Sequence, residues 1–436
     1  MSDAAWMASA LAATMALWWL TEALPLAATA LVPLAVGPVW GIADLSELAP
    51  SYSDPLIVLF LGGFLIAKAI EKSDLHRRMA GFLLGYAGTN AQRVLGAVML
   101  CTAFLSLWIS NTASAMVIAP IAAAIAGSQN DHPKFGTALM LGVAFAATIG
   151  GMGSLIGTPP NALFAAHVRT TYGVDIGFAQ WAAVGIPVAL VLLACAWFVL
   201  AKLTPGLNSE TLNASYDSQR PDMQVAERRV AVVAGLTALA WLSRPIIETA
   251  FPAVMLSDAG IAMIAALALF IIPDGKGMRL LDWNTAATLR WDVLILFGGG
   301  LALAGIIQQS GLAGWIGGHV QDVSNFPQIV LLLIVAALIV YVGELASNTA
   351  MAAIFLPITG AVATTLNADP VLFMLPVAFA ASVGFMLPVA TPPNAIVFST
   401  PQVKRGDMLR AGAPLDLIGL VIAVGMSSLL GPLVFG

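Results

Sequence analysis

Apolar stretches long enough to cross a membrane, separated by short polar segments, run through the whole chain. Ten of them stand out: 6–21, 24–42, 55–70, 136–168, 181–201, 230–250, 257–273, 291–310, 371–400 and 413–433. A helix of about 20 apolar residues crosses the roughly 30 Å hydrocarbon core of a bilayer. The pattern therefore predicts an all-α polytopic membrane protein with about ten spans.

Two further apolar segments, at about 91–126 and 327–365, are interrupted near their middle by the same triplet, Ser-Asn-Thr. The triplets are Ser110–Thr112 and Ser347–Thr349. A break in the helix at membrane depth is tolerated only where the backbone is buried in protein or lines a wet cavity. We therefore predict two re-entrant hairpins, one entering from each side, with a triplet at each tip.

The two halves of the chain share a pattern at a shift of 237 positions. Phe60 falls on Phe297, Ser73 falls on Ser310, and the two triplets coincide. A second motif follows each triplet: GTPPN at 157–161 and ATPPN at 390–394. Because proline lacks a backbone N–H and interrupts a helix, we predict broken helices at about 136–168 and 371–400.

Charge predicts the relative orientation of the halves. The first half carries a basic cluster after position 63, whereas its counterpart, 304–322, has no Lys or Arg. Basic segments stay on the cytoplasmic side, so equivalent segments of different charge should face opposite sides. This indicates an inverted repeat, as in many secondary transporters. The predicted parts are a first repeat at 1–201, a cytoplasmic linker at 202–229 and a second repeat at 230–436.

Composition agrees with a membrane protein and narrows its chemistry. Of 436 residues, 59% are hydrophobic and 9% are charged, and the mean hydropathy is +0.92. Soluble domains carry about a quarter charged residues. Cys101 and Cys195 stand alone and the four histidines are scattered. We therefore predict neither an enzyme nor a nucleic-acid-binding protein.

A hairpin tip and a broken helix together supply groups for a cation and an anion. Hydroxyls, amide oxygens and freed carbonyls coordinate hard cations, and the N-terminus of a half-helix attracts an anion. No Lys or Arg occurs at 94–133, 135–168 or 291–403, which include every motif. A single Ser-Asn-Thr in a helix usually serves helix packing or interhelical hydrogen bonding, and a single TPPN is usually a turn. Their paired recurrence in the same order favours a binding site.

The pairing of SNT with TPPN in both halves resembles the divalent anion/sodium symporter family of dicarboxylate and citrate carriers. So do WWLTEALPLAATALVP at 18–33 and FLGGFLIAKAIEKSDLHRR at 60–78. The resemblance covers nearly the whole chain. It implies a homodimer in the lipid bilayer, with a scaffold domain and a transport domain that moves as an elevator, and sodium ions beside one dianion. Only a short run precedes Trp18, where the family usually has one more helix, so we expect either that the chain lacks this helix or that its start is truncated.

The resemblance also assigns site residues by motif position. The first sodium site is expected to use Ser106, Ser110, Asn111 and the Gly157 carbonyl, and the second Ser347, Asn348 and the Ala390 carbonyl. The substrate is expected to meet Asn111, Thr112, Asn348, Thr349, Thr158, Pro159, Thr391 and Pro392. The second sodium site is incomplete, because Gly343 stands where the family often has Thr, whereas its counterpart Ser106 has a hydroxyl.

The function expected on these grounds is sodium-coupled uptake of a C4-dicarboxylate, such as succinate, malate or fumarate, across the cytoplasmic membrane. Sodium-independent dicarboxylate exchange and transport of citrate, sulfate or another oxyanion stay open as alternatives. An ion channel is disfavoured, since paired hairpin tips suit alternating access. Glu344, an intramembrane acid beside the second tip, either carries a proton or is a structural partner to a backbone N–H or a Ser.

Overall fold

The computed structural model describes residues 1–85, 88–127, 133–203, 222–251, 256–320 and 327–436. The first half contains α1 Asp3–Thr21, α2 Leu26–Thr29, α3 Val32–Val39, α4 Leu45–Leu48, α5 Pro55–Lys72, α6 Leu75–Leu84, α7 Ala91–Ser106, α8 Asn111–Gly127, α9 Pro133–Met152, α10 Pro159–Tyr172 and α11 Phe178–Leu203. The second contains α12 Val225–Ala250, α13 Asp258–Ile271, α14 Trp283–Ala287, α15 Trp291–Gln309, α16 Leu312–Val320, α17 Gln328–Gly343, α18 Asn348–Thr365, α19 Pro370–Ala380, α20 Pro392–Phe398 and α21 Arg405–Val434. A 3-10 helix, Ala49–Ser53, precedes α5.

The described residues form no β-strand, which confirms the predicted all-α fold. Eight helical segments there are long and apolar enough to cross a membrane: 3–21, 45–72, 134–152, 178–202, 225–250, 291–309, 348–365 and 405–434. Seven of them correspond to predicted spans. Three predicted spans are missing, because the stretches 24–42 and 371–400 divide into shorter helices and α13 is short. The eighth segment, 348–365, is the second arm of the hairpin predicted at about 327–365, which was not expected to cross the membrane. In 24–42 the division falls just before Pro33, which lies in the first turn of α3.

The helix breaks lie where the prolines predict them. α9 ends at Met152 and α10 begins at Pro159, while α19 ends at Ala380 and α20 begins at Pro392. In each pair, proline occupies the first helical position, where a missing N–H costs no helical hydrogen bond. Most of the predicted linker, 204–221, lies outside the described residues.

The helix order of the first half recurs in the second, from α5–α11 to α15–α21. Two repeat-related glycines, Gly62 and Gly299, occupy equivalent close crossings. A Cβ atom on Gly62 would overlap Ala262 of α13, and one on Gly299 would overlap Ala30, which follows α2. This agreement supports the repeat, while its inverted orientation in the membrane stays a prediction.

The helices pack as two groups. The frame group, α1–α5 with α12–α15, is held by contacts such as α5 with α13 and α15 with α2. The motif group, α7–α11 with α17–α21, is held by contacts of α9 with α7 and α8 and of α21 with α11 and α19. The groups meet where α10 and α18 lie on α15 and α11 lies on α12. The short helices α6 and α16 connect the groups along the chain.

Candidate substrate and cation site

Both hairpin tips and both helix breaks line the same cavity, whose volume is about 1460 Å³. The motif residues on its wall are Ser110, Asn111, Thr112, Gly157, Thr158, Pro159, Ser347, Asn348, Thr349, Ala390, Thr391 and Pro392. The frame group contributes the opposite wall, including Phe60 and Phe64 of α5 and Leu296 of α15. The cavity therefore lies between the two groups, and residues far apart in the chain meet there.

The first hairpin tip gathers several oxygen atoms around Asn111. Ser106, the last residue of α7, is fully buried, and its Oγ donates to the Ala147 carbonyl at 2.6 Å. One terminal atom of the Asn111 amide lies 2.8 Å from Ser106 Oγ, 3.2 Å from the Ala147 oxygen and 3.3 Å from the Gly157 oxygen. Ser110 caps α8, accepting from the Ala113 N–H at 3.2 Å. The structure thus joins Ser106, Asn111 and Gly157 directly and places Ser110 beside them.

This arrangement fits a small cation. With the amide nitrogen of Asn111 at the shared position, the side chain donates to both carbonyls. With the amide oxygen there, four oxygens converge, and hard cations are coordinated by such oxygens. The close approach depends on glycine: a Cβ on Gly151 would overlap the Asn111 amide, and one on Gly157 would overlap the Gly151 carbonyl.

The second hairpin tip is built less completely. Asn348 Oδ1 is buried without a hydrogen-bond partner, and the Ser347 side chain makes no capping hydrogen bond to α18. Both side chains are therefore available to a ligand. At the position equivalent to Ser106, Gly343 is buried, and a Cβ there would meet only Met351, at 3.6 Å. The second tip lacks the hydroxyl that the first one uses.

The asparagines that close the two TPPN motifs brace the broken helices. Asn161 Nδ2 donates to the carbonyls of Gly151, at 3.1 Å, and Ser154, at 2.8 Å. Asn394 Nδ2 donates to those of Gly384, at 3.1 Å, and Leu387, at 2.9 Å. Neither asparagine was assigned a role from the sequence. A role could have been inferred, because both asparagines recur in a TPPN motif. The prolines of that motif leave backbone carbonyls without helical donors, and an asparagine amide can supply them.

Glu344 accepts hydrogen bonds from the backbone at the second break, which is one of the two roles predicted for it. Its Oε1 accepts from the Met386 N–H at 3.0 Å, and its Oε2 from the Leu387 N–H at 2.7 Å. Asp416 of α21 does the same for Phe385, at 2.9 Å. Asp416 was not predicted from the sequence, although an acid inside a predicted span was a signal for it.

Helix N-termini dominate the electrostatics around the tips. Four helices, α8, α10, α18 and α20, begin at the cavity. The positive end of each helix dipole favours an anion. The first two residues of α10 and of α20 are prolines without an N–H, so free N–H groups can come only from the starts of α8 and α18. The cavity continues toward the basic end of α5, where each lining Lys or Arg has an acidic partner. The pairs are Lys68 with Glu71, Arg77 with Asp74 and Arg290 with Asp292.

The whole chain, residues 1–436, matches the profile of a family described as the sodium:sulfate symporter transmembrane region. The chain belongs to this family. Membership confirms the resemblance inferred from the motifs and makes the protein a membrane transporter rather than an enzyme.

Relatives of this symporter-family chain include proteins named sodium-dependent dicarboxylate transporter SdcS. The one from Staphylococcus saprophyticus is 37% identical over 100% of this chain and 88% of the relative. The one from Staphylococcus aureus strain USA300 is 36% identical over 97% and 85%.

Solved structures with a similar fold include the YdaH transporter of Alcanivorax borkumensis, with a TM-score of 0.64 and 15% identity over 89% of this chain and 88% of that one. MtrF of Neisseria gonorrhoeae gives a TM-score of 0.61 and 14% identity over 88% and 83%. At this identity the likeness concerns the fold alone.

Proposed function

We propose that this protein couples the uptake of a C4-dicarboxylate to sodium across the cytoplasmic membrane. The observation that carries the proposal is the meeting of both tips and both breaks in one cavity, together with relatives that are named sodium-dependent dicarboxylate transporters. Succinate, malate and fumarate each present two carboxylates, which suit two repeat-related sets of amides and hydroxyls. Asn111 with Thr112 would meet one carboxylate, and Asn348 with Thr349 the other.

Sodium supplies the positive charge that the protein itself does not place at the tips. The Lys and Arg side chains on the cavity wall lie toward its basic end, and each is paired with an acid. A dianion between the tips would therefore be held by helix N-termini, amides and the bound cations. Since binding of the anion then depends on the cations, uptake depends on sodium.

The two packing groups support an elevator mechanism. The motif group carries every proposed ligand, and the frame group supplies the opposite wall of the cavity. The cavity mouth includes the basic end of α5, which is the cytoplasmic side by the distribution of Lys and Arg. At the other end of α5, Arg169 of α10 lies 3.6 Å from Asp54 and links the groups. These features support an inward-facing arrangement, from which the motif group would move across the membrane.

Uptake by proteoliposomes tests this function. We expect radiolabelled succinate to accumulate only with an inward sodium gradient, and Asn111→Ala or Asn348→Ala to abolish accumulation. Asn284→Ala is the matched control, because Asn284 is exposed on α14 and does not line the cavity. Sodium-dependent uptake that is unaffected by both tip variants would refute the site.

Sodium-independent exchange of dicarboxylates is the second candidate, and the missing hydroxyl at Gly343 favours it. It predicts that internal succinate drives uptake equally well with sodium or choline outside. Chemical crosslinking in the membrane would test the homodimer that the family resemblance implies.

A further inference from the structure

Three consecutive backbone N–H groups at the second helix break are satisfied by two buried carboxyl groups. Phe385 donates to Asp416, while Met386 and Leu387 donate to the two oxygens of Glu344. Glu344 is 1% exposed and Asp416 is fully buried. The segment 385–387 leads directly to Ala390, whose carbonyl is a proposed sodium ligand, and to the first turn of α20.

The first break is held differently. Its carbonyls accept from Asn161, and the Met152 carbonyl accepts from Trp181 Nε1 at 3.0 Å. In the first half of the chain, the residue equivalent to Glu344 at the shift of 237 positions is Leu107. The carboxyl pair is therefore a feature of the second break, which is also the one whose cation site lacks a hydroxyl.

The pair presents four oxygens to three N–H donors. Asp416 Oδ2 is buried and has no donor among the described residues. The two carboxyl groups are neighbours, because they accept from the N–H groups of the consecutive residues Phe385 and Met386. Two adjacent carboxylates, both deprived of water, repel one another strongly, and a shared proton removes that repulsion.

No cation in the described part of the chain takes the place of that proton. The other titratable groups that the structure describes on α21 and on the helices packed against it have no hydrogen bond or ion pair to Glu344 or Asp416. They are Tyr341, exposed on α17; Cys195 and Lys202 on α11; Asp369, which caps α19; and Arg405, Asp407 and Arg410 at the start of α21. Lys202 sits over the ring of Phe198, 4.4 Å from its centroid.

We propose that Asp416 is a neutral acid whose O–H bonds to the Glu344 carboxylate, and that the pair is a positioning unit for the second cation site. By fixing the N–H groups of 385–387, it holds the Ala390 carbonyl and the start of α20 toward the cavity. The positioning role rests on the proposed sodium-coupled function, whereas the protonation state does not. The pair keeps its proton and contacts neither substrate nor cation.

The infrared spectrum tests the protonation state without any transport. We expect the purified protein at neutral pH to show the C=O stretching band of a carboxylic acid, shifted in D₂O. Asp416→Asn should remove the band, and Asp407→Asn, a control on the same helix, should keep it. A spectrum identical in wild type and Asp416→Asn would overturn the proposal whatever the protein transports.

Sodium titrations of succinate uptake test the positioning role. Asp416→Asn keeps an acceptor for Phe385 and a donor for Glu344, so its half-maximal sodium concentration should stay within about twofold of wild type. Asp416→Leu and Glu344→Gln leave backbone donors unpaired and should raise that concentration about tenfold or more. If Asp416→Asn is as impaired as Asp416→Leu, the charge of Asp416 is what matters and a neutral acid is the wrong assignment.

Discussion

Ser106 offers the sharpest test of the first cation site, because its buried hydroxyl joins the parts of that site. Its Oγ lies 2.6 Å from the Ala147 oxygen and 2.8 Å from the Asn111 amide. Ser106→Ala removes a proposed sodium ligand and leaves the buried Ala147 carbonyl without that donor.

The expected magnitude follows from the strength of the interaction that the substitution removes. We take the contact between this hydroxyl oxygen and a bound cation to be as strong as a hydrogen bond to a charged group, about 1.5–3 kcal/mol. Each 1.4 kcal/mol or so changes an equilibrium constant tenfold. The sodium concentration for half-maximal uptake should therefore rise by about ten- to a hundredfold. The maximal rate at saturating sodium should fall less, since the proposed substrate ligands are unchanged.

Thr102→Val is the matched control. Thr102 lies one turn earlier on α7, is fully buried, and donates to the Val98 carbonyl of its own helix at 2.7 Å. Both variants lack a buried hydroxyl, but only Ser106→Ala touches the site. The assay is a sodium titration of succinate uptake, with sodium-dependent thermal stabilisation of the purified protein measured beside it. Equal sodium dependence in the two variants would refute the first cation site.

The remaining predictions concern the second break and the loops. Gly343→Ser restores the missing hydroxyl where there is room for it, so the half-maximal sodium concentration should fall several-fold in the same titration; an unchanged value would place the second cation elsewhere. Asn394→Leu removes two buried hydrogen bonds and should destabilise the fold by about 2–4 kcal/mol, seen as a lower unfolding temperature; no change would show that Asn394 does not brace the break. Lys72 donates to Asp282 at 2.6 Å and thereby lowers the pKa of that carboxyl to about 2. The stabilisation that goes with a lowered pKa is present at neutral pH and is lost only as the pH falls toward that value. Asp282→Asn should therefore leave the pH profile of uptake unchanged between about pH 6 and 8, and a shifted profile would contradict this assignment.

Local chemistry explains how much of the fold could be predicted. Span positions follow from the length of each apolar stretch, because the bilayer core sets a minimum helix length. The breaks before Pro159 and Pro392 follow from the missing N–H of proline. The stretch 24–42 was less predictable, since hydropathy alone does not show where Pro33 divides a helix.

The site itself was predicted from repetition rather than from any one motif. Because Ser-Asn-Thr and TPPN recur together, the sequence indicated Asn111 and Asn348 before their surroundings were known. The sequence did not show which residues the polar side chains of the site contact. Asp416 and Glu344 are far apart in the chain and become neighbours only when α21 packs against α17.

The sequence by itself determined the class of protein, most of the membrane-spanning helices, the four interruptions and the residue types that could bind a cation and an anion, because these depend on local composition and on proline chemistry. Only the tertiary structure decided that the four interruptions share one cavity and that Asn161 and Asn394 stabilise the breaks. It also decided that Glu344 and Asp416 accept from neighbouring backbone N–H groups. The physical reason is that buried backbone groups without helical partners must find hydrogen bonds wherever packing provides them, and packing joins residues that sequence distance keeps apart.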